Sequence, residues 1–129
     1  MNEKIFIVDD NKDDLETLKN ILEKEKYNVN IATSGKDAGN IILKGDYEIV
    51  LIDIKMPVFT GYDLVNLLRE KIGSKIKLIY VTIVPKQDVK MKGINGFIQK
   101  PFEIDSVLKE VKRVRGEKLE EVNKNAKPS

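Results

Sequence analysis

The chain has no cysteine and no histidine in 129 residues. Without cysteine there are no disulfides, no thiolate metal sites and no thiol nucleophile. Without histidine, the commonest general base and the commonest transition-metal ligand are both missing. Charge of one sign is lacking too: 23 Lys and Arg stand against 21 Asp and Glu, a net +2. That balance gives no strong field for nucleic acid or an anionic membrane. No run approaches the ~18 apolar residues of a membrane-spanning helix. The N-terminal "MNEKIFIVDD" is too short in its apolar part for a signal peptide and ends in acids. A cytoplasmic protein with no membrane contact is expected. Reactive chemistry is left to carboxylates, hydroxyls and ammonium groups, with hard cations held by oxygen.

The length suits a single domain. The composition, 41% hydrophobic and 34% charged, is that of an ordinary globular chain. Four apolar, β-branched runs read as strands: "KIFIVDD" (4–10), "EIVLIDI" (48–54), "KLIYVTIV" (77–84) and "GFIQKP" (96–101). They are continuous rather than alternating, as in strands buried on both faces. "YNVNIAT" (27–33) alternates Val29 and Ile31 and reads as a strand nearer the sheet edge. Helical spacing separates the runs. Asn11 or Asp13 can cap a helix with Leu15, Leu18, Ile21 and Leu22 on one face. Ser34 precedes a face of Ala38, Ile41 and Ile42, with a stop at Gly45. Thr60 precedes Leu64, Leu67 and Leu68, and Gly73 lies beyond that helix's end. The last helix aligns Ile104, Val107, Leu108, Val111 and Val114, and either continues past Gly116 or frays. Alternating strands and helices predict an α/β fold with a parallel sheet covered on both faces. Five strands favour the flavodoxin-like order 2-1-3-4-5, which places ligands outside the carboxyl ends of the strands.

In such a sheet Asp9, Asp10, Asp53, Thr82 and Lys100 all fall at one edge. An aspartate at a strand end is more often a turn former than a reactive group. Taken together, however, three crowded acids repel unless a cation joins them, and a hard divalent ion is the simplest answer. With no His or Cys, the available nucleophile is a carboxylate, and aspartyl phosphate is a known covalent intermediate. Asp53, on the central strand, is best placed for it. Lys100 can neutralise a phosphoryl oxygen and Thr82 can hydrogen-bond another.

The chain resembles a response-regulator receiver domain of two-component signalling, in the CheY-like superfamily. The likeness runs from about Lys4 to Arg115 and rests on "IVDD", "LIDIKMPVFTG", "VT" and "GFIQKPF", in that order. It implies a receiver domain over residues 1–116 and a charged tail over 117–129, either a frayed helix or a linker remnant. By resemblance Asp53 is the phosphoacceptor, and Asp10 with Asp53 binds Mg²⁺ directly. The backbone carbonyl of Lys55 is a third ligand, and Asp9 acts largely through water. Thr82 and Lys100 bind the phosphoryl group, the Lys100–Pro101 peptide is cis, and Phe97 is a switch aromatic that turns inward when Thr82 moves. The implied partners are a sensor histidine kinase or phosphotransfer protein and an unidentified downstream protein. Such a protein catalyses its own phosphorylation and dephosphorylation without turning over an external substrate. The chain reads as a stand-alone receiver or part of a longer protein, contacting no nucleic acid itself, as a monomer or weak dimer.

Three residues or segments depart from the family pattern. Ile83 stands where a small residue is usual and should narrow the path to Asp53. The stretch between Thr82 and Lys100 is about one helical turn short, so the family's fourth helix is expected to be short or irregular, which alters the usual output surface. Lys55 puts a cation at the mouth of the site, either as a tuning residue or as a solvated lysine. Two rival functions follow: a phosphorylation-independent interaction module, and a hydrolase that turns over an aspartyl phosphate, for which no substrate pocket is evident.

Overall fold

The computed structural model describes residues 3–116. Five strands and four α-helices follow one another as β1 (Lys4–Val8), α1 (Lys12–Lys24), β2 (Asn28–Ala32), α2 (Gly35–Lys44), β3 (Ile49–Ile52), α3 (Gly61–Lys71), β4 (Lys77–Thr82), β5 (Gly96–Gln99) and α4 (Ile104–Arg115). The strands form one parallel sheet in the order β2-β1-β3-β4-β5, as expected. β1, β3 and β4 are buried along nearly their whole length. This is why they read as continuous apolar runs: both faces of the sheet are covered.

The two faces carry separate cores. Ile5, Ile7, Leu51, Ile79 and Val81 pack with Leu18 and Leu22 of α1 and Val107 and Val111 of α4. Phe6, Val8, Val50, Ile52 and Tyr80 pack with Ala38 and Ile42 of α2 and Leu64 and Leu68 of α3. Each strand therefore divides its side chains by the period-two alternation. The helix starts fall where the capping residues stand. Asn11 accepts from the Asp14 amide, Ser34 from that of Asp37, and Thr60 with Asp63 forms a reciprocal capping box.

Two apolar residues expected inside are outside. Ile41 is 43% exposed and Ile104 59% exposed. In α2 the buried stripe is Gly35, Ala38, Gly39 and Ile42. A Cβ on Gly39 would lie 2.9 Å from Leu67 Cδ2, so a side chain-free position lets α2 close on α3 and turns Ile41 outward. Ile104 is the first residue of α4, beyond the part of that helix that the sheet covers. The possible continuation of the last helix past Gly116 lies outside the described residues.

Between β4 and β5 no α-helix forms. Lys86–Asp88 make a single 3₁₀ turn, as the short spacing predicts. Arg69 braces this connection: its guanidinium donates to the carbonyls of Gly73 at 2.6 Å, Ile76 at 2.8 Å and Gly93 at 2.8 Å, and to Asn95 Oδ1 at 2.8 Å. Asn95 in turn exchanges two bonds with Leu78, from the Leu78 amide to Asn95 Oδ1 and from the Asn95 amide to the Leu78 carbonyl, both 2.8 Å. Arg69→Ala should cost about 2–3 kcal/mol in a denaturant titration, since charged hydrogen bonds are lost and carbonyls are left half-buried. Hydrogen exchange should show weak protection across residues 86–92 in the wild type; full protection there would contradict an irregular connection.

Candidate functional site

Parallel pairing brings the carboxyl ends of the strands to one edge, and the site is assembled from four of them. Asp9 follows β1 and is 1% exposed, and its backbone amide extends the ladder to the Ala32 carbonyl at 3.2 Å. Asp53 follows β3 and is 6% exposed, with its amide on the Val8 carbonyl at 3.0 Å. These ladder bonds fix the backbones on which the two carboxylates stand. Asp10 is exposed beside them. One carboxylate oxygen from each of Asp9, Asp10 and Asp53 falls within 4.8 Å of the others.

Lys100, after β5, reaches back into this cluster. Its Nζ lies 2.7 Å from Asp9 Oδ2, 2.8 Å from Asp14 Oδ2 and 3.6 Å from Asp53 Oδ2. The Lys100 amide donates to the Thr82 carbonyl at 2.8 Å, which ties the lysine to the end of β4. The Lys100–Pro101 peptide is cis, as the resemblance implies. Thr82 is fully buried, and its Oγ1 accepts from the Val84 amide at 3.2 Å. Among the described residues no hydrogen bond joins that hydroxyl to the carboxylates.

The loop after Asp53 is shaped by its apolar and small residues. Met56 is buried, the Phe59 amide donates to the Pro57 carbonyl at 2.7 Å, and Val58 has φ +70°. Gly61 opens α3 directly over the phosphoacceptor candidate: its amide donates to the Ile54 carbonyl at 2.9 Å, and an added Cβ would run into the Asp53 carbonyl oxygen. No other residue fits so close a passage. Lys55 and Ile83 are exposed, Ile83 at 59%. Phe97 is half-buried opposite Tyr80, with Lys86 Nζ 5.9 Å from its ring centroid, rather than among the carboxylates.

Asp14 is the one pocket residue that sequence reasoning missed, because an acid in a helix's first turn is explained well enough by capping and the helix dipole. A signal was present. Asp14 is four residues before Leu18, so it shares the sheet-facing side of α1 and hangs over the strand ends.

A family model for the response regulator receiver domain matches residues 5–112. The chain belongs to this family. The receiver domain is 30% identical over 113 residues to the transcriptional regulatory protein DltR of Streptococcus agalactiae, covering 84% of this chain and 50% of that protein. It is 33% identical over 102 residues to the response regulator SaeR of Staphylococcus epidermidis, covering 76% of this chain and 44% of that one. The chain thus spans about half the length of these curated relatives. Among solved structures, it superposes with a TM-score of 0.81 and 28% identity on TrrA of Thermotoga maritima, solved with Mg²⁺ and a beryllium fluoride, over 87% of this chain and 98% of that one. The chemotaxis regulator CheY4 of Vibrio cholerae gives 0.81 and 28%, over 88% and 99%. Among the described residues, no helix of the receiver domain is long and apolar enough to cross a membrane.

Crowded acids shape the pocket's electrostatics. Burial pushes the Asp9 carboxyl up to about 6, against the lowering effect of the Lys100 and Asn11 bonds, and the Asp53 charge adds to the rise. Burial alone would lower Lys100, but its bonds to Asp14 and Asp9 and the Asp53 charge outweigh it and lift it to about 12. Three oxygen donors this close suit a hard divalent cation such as Mg²⁺. In metal-free protein, Asp9 takes up a proton more readily folded than unfolded, where its value is about 3.8. The stability this provides is whole below 3.8 and is lost as pH rises through about 6. With a chelator present, the thermal midpoint should therefore fall from about pH 5 to about pH 7.5, and Asp9→Asn should flatten the decline. Equal slopes in the two proteins would contradict this electrostatic account.

Proposed function

We propose that this receiver domain is a phosphoacceptor switch, in which Asp53 takes a phosphoryl group from a phosphohistidine of a sensor kinase or phosphotransfer protein. The observation that carries the reading is the convergence of Asp9, Asp10 and Asp53 with the Lys100 ammonium at one sheet edge. In the reaction an Asp53 carboxylate oxygen attacks phosphorus and the P–N bond to the donor histidine breaks. The histidine nitrogen keeps the electron pair and takes up a proton, leaving aspartyl phosphate. Lys100, 3.6 Å from the Asp53 carboxylate, is within reach of the incoming phosphoryl oxygens. The Thr82 hydroxyl accepts from Val84, so its own proton is available to a phosphoryl oxygen. Asp9, Asp10, Asp53 and the Lys55 carbonyl are the residues that would hold Mg²⁺. When bound, the ion neutralises charge shared between the carboxylates and the phosphoryl group.

Phosphorylation then shifts the population of a two-state surface. Thr82 is the hinge of that shift, because the irregular β4–β5 connection starts at its carboxyl side, and Phe97 pairs with β4 two residues before it. The changed surface is read by a downstream protein. This reading places the chain in the cytoplasm and assigns residues 1–116 to the receiver.

Incubation with acetyl phosphate and Mg²⁺ tests it by mass spectrometry. A gain of one phosphoryl group that disappears in Asp53→Asn is the expected result. No gain would favour an interaction module that works without phosphorylation, and rapid multiple turnover a hydrolase. Ile83 adds a rate prediction. It follows Thr82 directly, and its branched side chain is largely exposed. Ile83→Ala should raise phosphorylation by acetyl phosphate and loss of the phosphoryl group severalfold; unchanged rates would refute a narrowing role.

A further inference from the structure

Lys100 is engaged on the wrong side of its task. An ammonium has three N–H donors. Two are spent on Asp9 Oδ2 at 2.7 Å and Asp14 Oδ2 at 2.8 Å, while Asp53 Oδ2, at 3.6 Å, lies beyond hydrogen-bond length. Asp14 is not one of the three carboxylates that cluster as a cation site. It stands on the first turn of α1, with its side chain 31% exposed, and meets the pocket through Lys100.

We infer that Asp14 is a positioning residue that latches Lys100 away from the phosphoryl position and so slows phosphorylation of Asp53. The inference rests on the reading of Asp53 as phosphoacceptor. When a phosphoryl group arrives, its oxygens draw the Lys100 ammonium toward Asp53, and the contact with Asp14 lengthens or breaks. That rearrangement is a cost carried only by the reaction. Asp14 also leaves a negative charge near the incoming anion, which acts in the same direction. Asp9 cannot serve as the latch in the same way, because it sits inside the cluster that Lys100 must in any case face. Asp14 is partly exposed, so the pair is one of moderate strength and its removal should change a rate by about three- to tenfold.

The test uses the full chain, acetyl phosphate and Mg²⁺, following the phosphorylated fraction by mass spectrometry. In the step measured, an Asp53 oxygen bonds to phosphorus and the P–O bond to acetate breaks, with acetate leaving as the anion. Asp14→Asn and Asp14→Ser should both phosphorylate about three- to tenfold faster than wild type. Asp14→Glu keeps the charge and a reach to the lysine, and should return the rate close to wild type. Asp13→Asn removes an exposed charge from the neighbouring position and should change nothing, which separates the latch from a general reduction of negative charge. Asp14→Asn at the wild-type rate, or an equal acceleration in Asp13→Asn, would overturn the latch while the labelling of Asp53 stood. A wild-type protein that takes up no label overturns the phosphoacceptor reading, and the latch with it.

Discussion

A single ammonium among carboxylates is the interaction on which the pocket depends. Parallel strand pairing delivers Asp9 and Asp53 to the same edge whatever their charge, because their backbone amides are already committed to the sheet ladder. Like charges held a few ångströms apart in a half-dry site repel, and something must offset that. Lys100 does so from the other end of the chain, carried on a strand that is anchored to Thr82. The same arrangement leaves an excess of negative charge. A pocket so built suits a cation.

The apolar packing of the fold is kept apart from this charged edge. The two apolar cores lie on opposite faces of the sheet, below the pocket, and neither includes an acid. α1 and α4 cover one face, α2 and α3 the other, and each helix begins at the edge where the chemistry collects. α3 begins closest of all, since Gly61 passes against the Asp53 backbone. The Asp53 loop is thus packed directly against the start of α3, and Thr82 leads straight into the short connection that follows β4.

Much of this was legible in the residues. The continuous apolar runs gave strands because burial on both faces leaves no polar side to alternate with. The caps at Asn11, Ser34 and Thr60 stood where the helices start, since only short oxygen-bearing side chains satisfy the first free amides. The irregular connection before β5 was visible as a spacing between Thr82 and Lys100 about one helical turn short, which pointed to a short or irregular helix where a single 3₁₀ turn forms. Other features depend on three-dimensional neighbours. Ile41 has the right period for a buried position and is exposed because Gly35 and Gly39 take the contact. Asp14 was hidden by an adequate local explanation, and only the position of Lys100 shows that its carboxylate does something else. Arg69 offered no sequence signal, because its partners are backbone carbonyls and one amide oxygen from three separate segments.

The Arg69 brace has a further consequence. Among the described residues its guanidinium is met only by neutral oxygens, and burial lowers its basicity without approaching loss of the proton. Added salt screens charge against charge far more than it weakens charge against a fixed dipole in a half-buried place. The amino end of β4 therefore stays clamped across a wide range of ionic strength, and charge entering the pocket at the other end of the sheet leaves that clamp untouched.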